Sequence, residues 1–401
     1  MTNAARKEQQ TFKLSSLALS VYLPTLLFSI GEGAVLPIIP LFARERGASV
    51  ALAALIVAMR GLGTLLFDLP SGVVVSRFGD KGAMVAGTAL VAVVAIGASL
   101  SRSIIVLGAL ILVMGGGSAF WQVARLVYAC EVTPPAQRGR VLSLLGAVSR
   151  AGSFIGPIIG GLLGKHYGLG SAFYTPALMG VAASTLMFTV VRKASGSEES
   201  GGRRAGGHLV ATMVEHRRIF LNAGLAMVAL QMVRQGRDVF LPLWGDSIGL
   251  DVVQIGLVFS VTSFVDCGMF YPVGYMMDRW GRKWAAVPSL FVLSLGLLIL
   301  PATTGLHGFT LVAILTGIGN GLGPGVVMTL GADFAPPGRR GEFLGVWRFI
   351  SDVGNAGGPL AVSVIVGVAS LALAATFTAA LGFTGATVMW LRVPETLRRR
   401  R

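Results

Sequence analysis

Twelve apolar runs, each long enough to cross a bilayer, constrain this chain more than any other feature. They fall at about 15–42, 49–75, 82–100, 104–130, 141–164 and 171–191, and again at about 219–244, 252–277, 284–301, 309–333, 343–367 and 373–392. A spanning helix needs about 20 apolar residues, so twelve spans take up most of the 401 residues and leave no room for a large soluble domain. Charge agrees: 13% of residues are charged, against about 25% in soluble domains. The net charge of +15 would suggest a nucleic-acid partner in a polar protein, but here the basic residues are too sparse to coat a soluble surface. Nucleic acid is therefore excluded as a partner.

Between the sixth and seventh runs lies SGSEESGGRRAGG, which has nothing apolar to bury and reads as a linker. The expected division is a bundle over 1–193, a cytoplasmic linker over 194–218 and a second bundle over 219–401. Of 33 Lys/Arg, 23 fall in the two terminal segments, the linker and the loops on their side of the membrane; Arg44, Arg46, Arg102 and Lys165 fall opposite. By the positive-inside rule both termini are cytoplasmic, in a multi-pass protein of the plasma membrane. The first run is longer than a signal-peptide core and ends without a small-residue cleavage site, so it is expected to be retained. Cys130 and Cys267 lie in apolar runs and form no metal or disulfide pattern.

The chain repeats itself. TPPAQRG (133–139) and APPGRRG (335–341) superimpose at an offset of 202, which also carries Gly152, Gly156 and Pro157 onto Gly354, Gly358 and Pro359. Upstream, Pro70, Gly72, Arg77, Gly79 and Lys81 fall on Pro272, Gly274, Arg279, Gly281 and Lys283. In the first spans an offset of 205 matches Gly31, Leu36 and Pro37 to Gly236, Leu241 and Pro242, implying a three-residue insertion and pairing Glu32 with Arg237. Two six-span halves starting on the same side are parallel repeats, which place a substrate site between them near the midplane. The expected fold is an all-α integral membrane protein, twelve transmembrane helices in two pseudo-symmetric six-helix bundles.

GVVVSRFGDK (72–81) and GYMMDRWGRK (274–283) resemble the G-x-x-x-D-R-x-G-R-K loop signature of the major facilitator superfamily. The second copy is complete in Gly274, Asp278, Arg279, Gly281, Arg282 and Lys283; the first keeps Gly72, Arg77, Gly79 and Lys81 but has Ser76 for the acid and Asp80 for a base. The resemblance implies a cytoplasmic gate latched by the acid against basic loop residues and a helix N-terminus. GAVSRAGSFIGPIIGG (146–161) resembles the fifth-span antiporter signature, with Gly152, Gly156, Pro157, Gly160 and Gly161 in place. That implies export in exchange for protons. The fourth-span arginine of such proteins is absent, Leu112 standing near its place.

Ionisable groups inside spans are expensive and mark function by default. Glu32 is the first candidate for carrying a proton, since a carboxyl in a poorly hydrated cavity titrates nearer neutrality; Asp68, Asp238 and Asp266 compete with it. The resemblance implies a cavity lined by spans one, four, seven and ten, which brings in Trp121, Gln122, Arg234, Arg237 and Asn320, with Arg150 from span five. Equal depths suggest Arg150 with Asp266 and Asp68 with Arg348 as ion pairs between the halves. Arg125 and Arg348 lie within two turns of the cytoplasmic face, where they can snorkel.

The sequence thus predicts a secondary transporter working as a single copy by alternating access on a small molecule, with protons as coupling ion and the bilayer as solvent. It contains no GxxxxGK[ST] nucleotide loop, no metal spacing among its four histidines and no nucleophile constellation. No enzyme activity, cofactor or metal is expected. Uptake or exchange of an organic anion, or a lipid flippase on the same scaffold, are the alternatives. The Arg398–Arg401 run reads as an anionic-lipid anchor.

Overall fold

The computed structural model describes residues 17–134, 137–191, 209–336 and 340–397. The linker residues 194–208, the N-terminal segment before residue 17 and the Arg398–Arg401 run lie outside them. In the first half the helices are α1 Ala18–Glu45, α2 Val50–Asp68, α3 Arg77–Leu100, α4 Ile104–Glu131, α5 Arg138–Tyr167 and α6 Leu169–Val190. In the second they are α7 Leu225–Ser247, α8 Val252–Arg279, α9 Lys283–Ala302, α10 Leu306–Phe334, α11 Arg340–Val368 and α12 Leu371–Arg392. No strand occurs among the described residues. A bilayer offers the backbone no hydrogen-bond partners, so apolar runs of this length must satisfy their own amides as helices. Eleven of the twelve are both long and apolar enough to span. The exception, α7, carries Arg234, Arg237, Asp238 and Asp246.

The two halves match residue for residue, and the register differs from the sequence reading. A π-helical turn opens the first span at Ala18–Tyr22 and the seventh at Phe220–Gly224, an offset of 202. Gly47 and Gly249 end these helices at positive φ, and Ser49 and Asp251 cap the next ones through Leu52 N and Gln254 N, all at the same offset. Later starts agree: Ile104 with Leu306, Arg138 with Arg340, Leu169 with Leu371. No insertion separates the first spans. Pro242 therefore answers Pro40, and Glu32 answers Arg234; the pairing with Arg237 is corrected. The offset of 205 was a chance alignment of a glycine and a proline in small-residue-rich helices.

Two compact units divide the chain at Leu36/Pro37, Gly61/Leu62 and Gly202/Arg203. Pro37–Gly61, which the sequence division gives to the first bundle, packs with the second unit. There Ser363 Oγ donates to Ala51 O at 2.8 Å, and Gly61 lies against the Asn355–Ala356 backbone. In the first unit α1 packs on α5 and α6, and α3 on α4 and α6, around Phe28, Met84, Ile111, Met114, Trp121 and Phe173. In the second, α7 packs on α11 and α12, α8 on α10, and α9 on α10 and α12, around Phe240, Leu290, Leu293 and Phe309.

Candidate functional site

The second unit contains a polar chain that crosses four helices. Asp266 Oδ2 on α8 accepts from Asn320 Nδ2 on α10 at 3.0 Å, and Asn320 Oδ1 accepts from Arg234 Nε on α7 at 2.8 Å. Arg234 Nη1 donates to Gln231 Oε1 at 2.9 Å, and Gln231 Nε2 donates to Asn355 Oδ1 on α11 at 2.8 Å. Asn355 Nδ2 donates to Asp352 Oδ1 at 3.0 Å, and Asp352 Oδ2 stands 3.7 Å from Arg348 Nε. Six side chains thus run from one carboxylate to another with a guanidinium among them, and Arg348 extends the chain to seven. Such a network is energetically secure only when each link is made, and the helical i, i+3 and i, i+4 spacings of 231/234, 352/355 and 348/352 place its members on common faces. Asp266 and Arg348, expected to pair with the other half, each hold a partner inside the second unit.

Beside this chain, Arg237 is buried, donates from Nη2 to Thr262 Oγ1 on α8 at 3.2 Å and has Asp238 3.9 Å from its Nε. Asp238 also lies in the field of Arg234, Arg60 and Asp266.

In the first unit the corresponding place is simpler. Ser118 Oγ on α4 donates to Glu32 Oε1 on α1 at 2.8 Å. Shifting by 202 turns Glu32 into Arg234 and Ser118 into Asn320, the pair joined across α7 and α10. The antiporter-signature glycines are what bring α5 onto this part of α1. A Cβ on Gly156 would stand 2.5 Å from Ile30 O and 2.7 Å from Ala34 N, and one on Gly152 2.5 Å from Ser29 Cβ. Gly160 meets Ala34 O in the same way, while Pro157 and Gly161 are buried beside them. The second unit repeats the contact, Gly358 on Met232 and Gly236, and Gly354 on Val228 and Gln231.

One expectation fails here, the snorkelling of Arg125. Trp121 is fully buried, its ring 5.2 Å from that of Phe28. Arg125 does not snorkel; it turns inward, its Cζ 5.6 Å from the centre of the Trp121 ring and its Nη1 3.3 Å from Ser149 Oγ. One turn of helix separates Trp121 from Arg125, so the stack follows from i, i+4 spacing. Gln122 is exposed, and Asp68 and Arg150 are half-buried in the first unit. Ser118, Arg125, Gln231, Asn355 and Asp333 were not read as site residues. For Ser118 the available signal was its coincidence with Asn320 at offset 202.

The two signature loops share a frame and differ in charge. Gly79 (φ 75°) and Gly281 (φ 118°) turn the chain in a conformation that disfavours a side chain. Lys81 Nζ then binds Phe188 O and Val191 O at the end of α6, and Lys283 Nζ binds Trp390 O at the end of α12. A cation at a helix C-terminus is worth about 0.3–1 kcal/mol. Gly72 and Gly274 have no neighbour that a Cβ would meet. Arg77 lies over the Phe78 ring, and Arg279 bonds the Tyr275 hydroxyl. In the second unit Arg282 Nε pairs with Asp333 Oδ2 on α10 at 2.9 Å, and its Nη1 stands 3.9 Å from Oδ1 of the exposed Asp278, so the loop's acid is the lesser partner. The equivalents in the first unit are two acids, Asp80 and Glu131, which act on one another electrostatically, with Asp80 Oδ2 buried and unpartnered. Glu395 accepts from the backbone N–H groups of Arg282, Lys283, Thr396 and Leu397. Burial pushes its pKa up, but the four donors outweigh this and hold its carboxyl below the usual range.

Two six-helix units in one register, joined to this pair of loops, match the sequence profile of the Major Facilitator Superfamily over residues 21–359 and 224–401. The chain belongs to that superfamily. An uncharacterised transporter of the superfamily from Methanocaldococcus jannaschii is 22% identical over 387 residues, covering 95% of this chain and 99% of its own. The multidrug resistance protein MdtH of Klebsiella pneumoniae is 23% identical over 341 residues, 83% of each chain. Among solved structures, a D-xylose-proton symporter superimposes with a TM-score of 0.76 at 15% identity, over 95% of this chain and 98% of its own. This superfamily protein is thus a multi-pass membrane transporter with the twelve-helix fold.

Proposed function

We propose that this transporter exports small molecules in exchange for protons by alternating access, as a single copy in the plasma membrane with both termini cytoplasmic. One observation carries the reading: at equivalent positions of α1 and α7 stand a carboxylate, Glu32, and a guanidinium, Arg234, each held by a polar side chain of α4 or α10. The carboxylate can take up and release a proton; the guanidinium stays charged. Protonation of Glu32 would remove its charge from the span and change its bond with Ser118, so proton occupancy can bias which side the site faces. Asp266, at the end of the seven-membered chain, is the second protonation candidate, ahead of Asp68 and Asp238. The GPIIGG signature on α5 and the likeness to a multidrug resistance protein support export over uptake.

The test is reconstitution of the full chain in liposomes under an imposed pH gradient with a panel of substrates. Substrate-evoked proton flux, abolished in Glu32→Gln, is the expected result. Proton flux with no candidate in either direction would overturn the coupling. Undiminished gradient-driven transport in Glu32→Gln would move the proton site to Asp266.

A further inference from the structure

We propose that Arg125 and Trp121 on α4 form the binding point for the anionic group of the substrate, a carboxylate, sulfonate or phosphate on an organic body. The inference rests on the transport reading and names the class of molecule carried. Arg125 makes two contacts, a hydrogen bond to Ser149 Oγ, which also accepts from Ser29 Oγ at 3.3 Å, and the stack on Trp121. Among the described residues it has no carboxylate partner, whereas Arg237 and Arg348 stand beside Asp238 and Asp352. Its Nε is buried with no acceptor, and so is Nε1 of Trp121, which is fully enclosed.

These two groups can only donate, and the guanidinium cannot shed its charge. An unpaired cation inside a membrane protein is a liability unless something supplies the counter-charge. Two orphan donors one helical turn apart, backed by a serine hydroxyl, call for an acceptor-rich anion, which answers both needs at once. Arg125 lies about 9 Å along α4 from its end at Glu131, at 1.5 Å per residue, on the cytoplasmic side of the span. Arg125 as a whole residue is half-buried. Ser29 sits one turn of α1 before Glu32.

Equilibrium binding to the full chain in detergent, without any gradient, tests this separately from proton coupling. The probes are benzoate, benzenesulfonate and phenyl phosphate, against neutral benzamide and cationic benzylamine, followed by isothermal titration and thermal unfolding. At least one anion is expected to bind and stabilise while the neutral and cationic probes do not. Arg125→Lys keeps the cation, and so the fold, but loses Nε–H and the planar fork; it should weaken anion binding about tenfold or more. Trp121→Phe keeps the ring and removes only the indole N–H, for a loss of a few fold. Anion binding no better than benzamide, absence of anion binding, or full affinity in Arg125→Lys would each overturn the proposal. Failure of the proton-coupling reading shows differently, as anion binding without proton flux in liposomes.

Discussion

Glu32 and Arg234 occupy one place in two copies of the same architecture, yet their surroundings are built to different standards. Around Glu32 the first unit places the Ser118 hydroxyl. Around Arg234 the second unit offers a chain of amides ending in Asp266 and Asp352. The backbone is the same in both, down to the π turn that opens each helix. Duplication has kept the geometry and reassigned the chemistry: one copy holds a group that can change its charge, the other a charge that is fixed and braced. A titrating group needs freedom to alter its bonds, and a permanent cation in a span needs the opposite.

Breaking the brace should therefore cost more than breaking the Ser118 bond. Arg234→Ala leaves Asn320 Oδ1 and Gln231 Oε1 without their donor and should lower stability by about 3 kcal/mol, as removal of one partner from a charged network in a span does, with transport lost. Ser118→Ala should cost about 1 kcal/mol. Thermal unfolding of the two variants in detergent decides it, and equal losses would remove the asymmetry. Gly156→Ala and Gly358→Ala sharpen the shared part. Each forces a Cβ against backbone of the first helix of its unit, so both should destabilise by about 1–3 kcal/mol and to a similar extent. A large difference would show that the close contact is kept for different reasons in the two copies.

The signature loops give a smaller contrast. Asp80→Arg would give Glu131 the partner that Asp333 already has, and a gain of about 0.5–1 kcal/mol is expected in unfolding experiments, with Arg282→Ala losing a comparable amount. The smallest effect is a pH dependence. Glu395 has its carboxyl held below the ordinary range, so its contribution is complete above the unfolded value of about 4.3 and fades as pH falls through the lower folded value. Glu395→Gln should flatten that acid limb slightly while leaving stability at neutral pH less than wild type.

The spans, their number and the repeat were legible because apolar length and glycine or proline spacing act locally along the chain. The charged positions were legible too, since an arginine or carboxylate in a greasy run is conspicuous. Partners were not. Arg348 and Asp352 are four residues apart and visible on one helix, but Asp266 with Asn320 needs the packing of α8 on α10. Arg125 was misread because nothing in the sequence tells which face of α4 is enclosed. The register of the first spans failed because Gly31 and Pro37 offered a better local match than Pro40, and only the positions of helix ends and caps could overrule it.

Equal length in the two copies has a practical side. From Ala18 to Val190, and again from Phe220 to Arg392, most helix boundaries fall at the same count, while the ends of α4 and α10 and of α5 and α11 differ by one residue. One extra residue within a helix turns everything after it by about 100°, which for α1 would swing Glu32 away from Ser118 and the α5 glycines away from the backbone they touch. Loop length is thus inherited as strictly as helix length, and an epitope or fluorescent tag inserted between spans risks resetting the phase of the next helix. The stretch that joins the two copies belongs to neither count, and it is the place to put one.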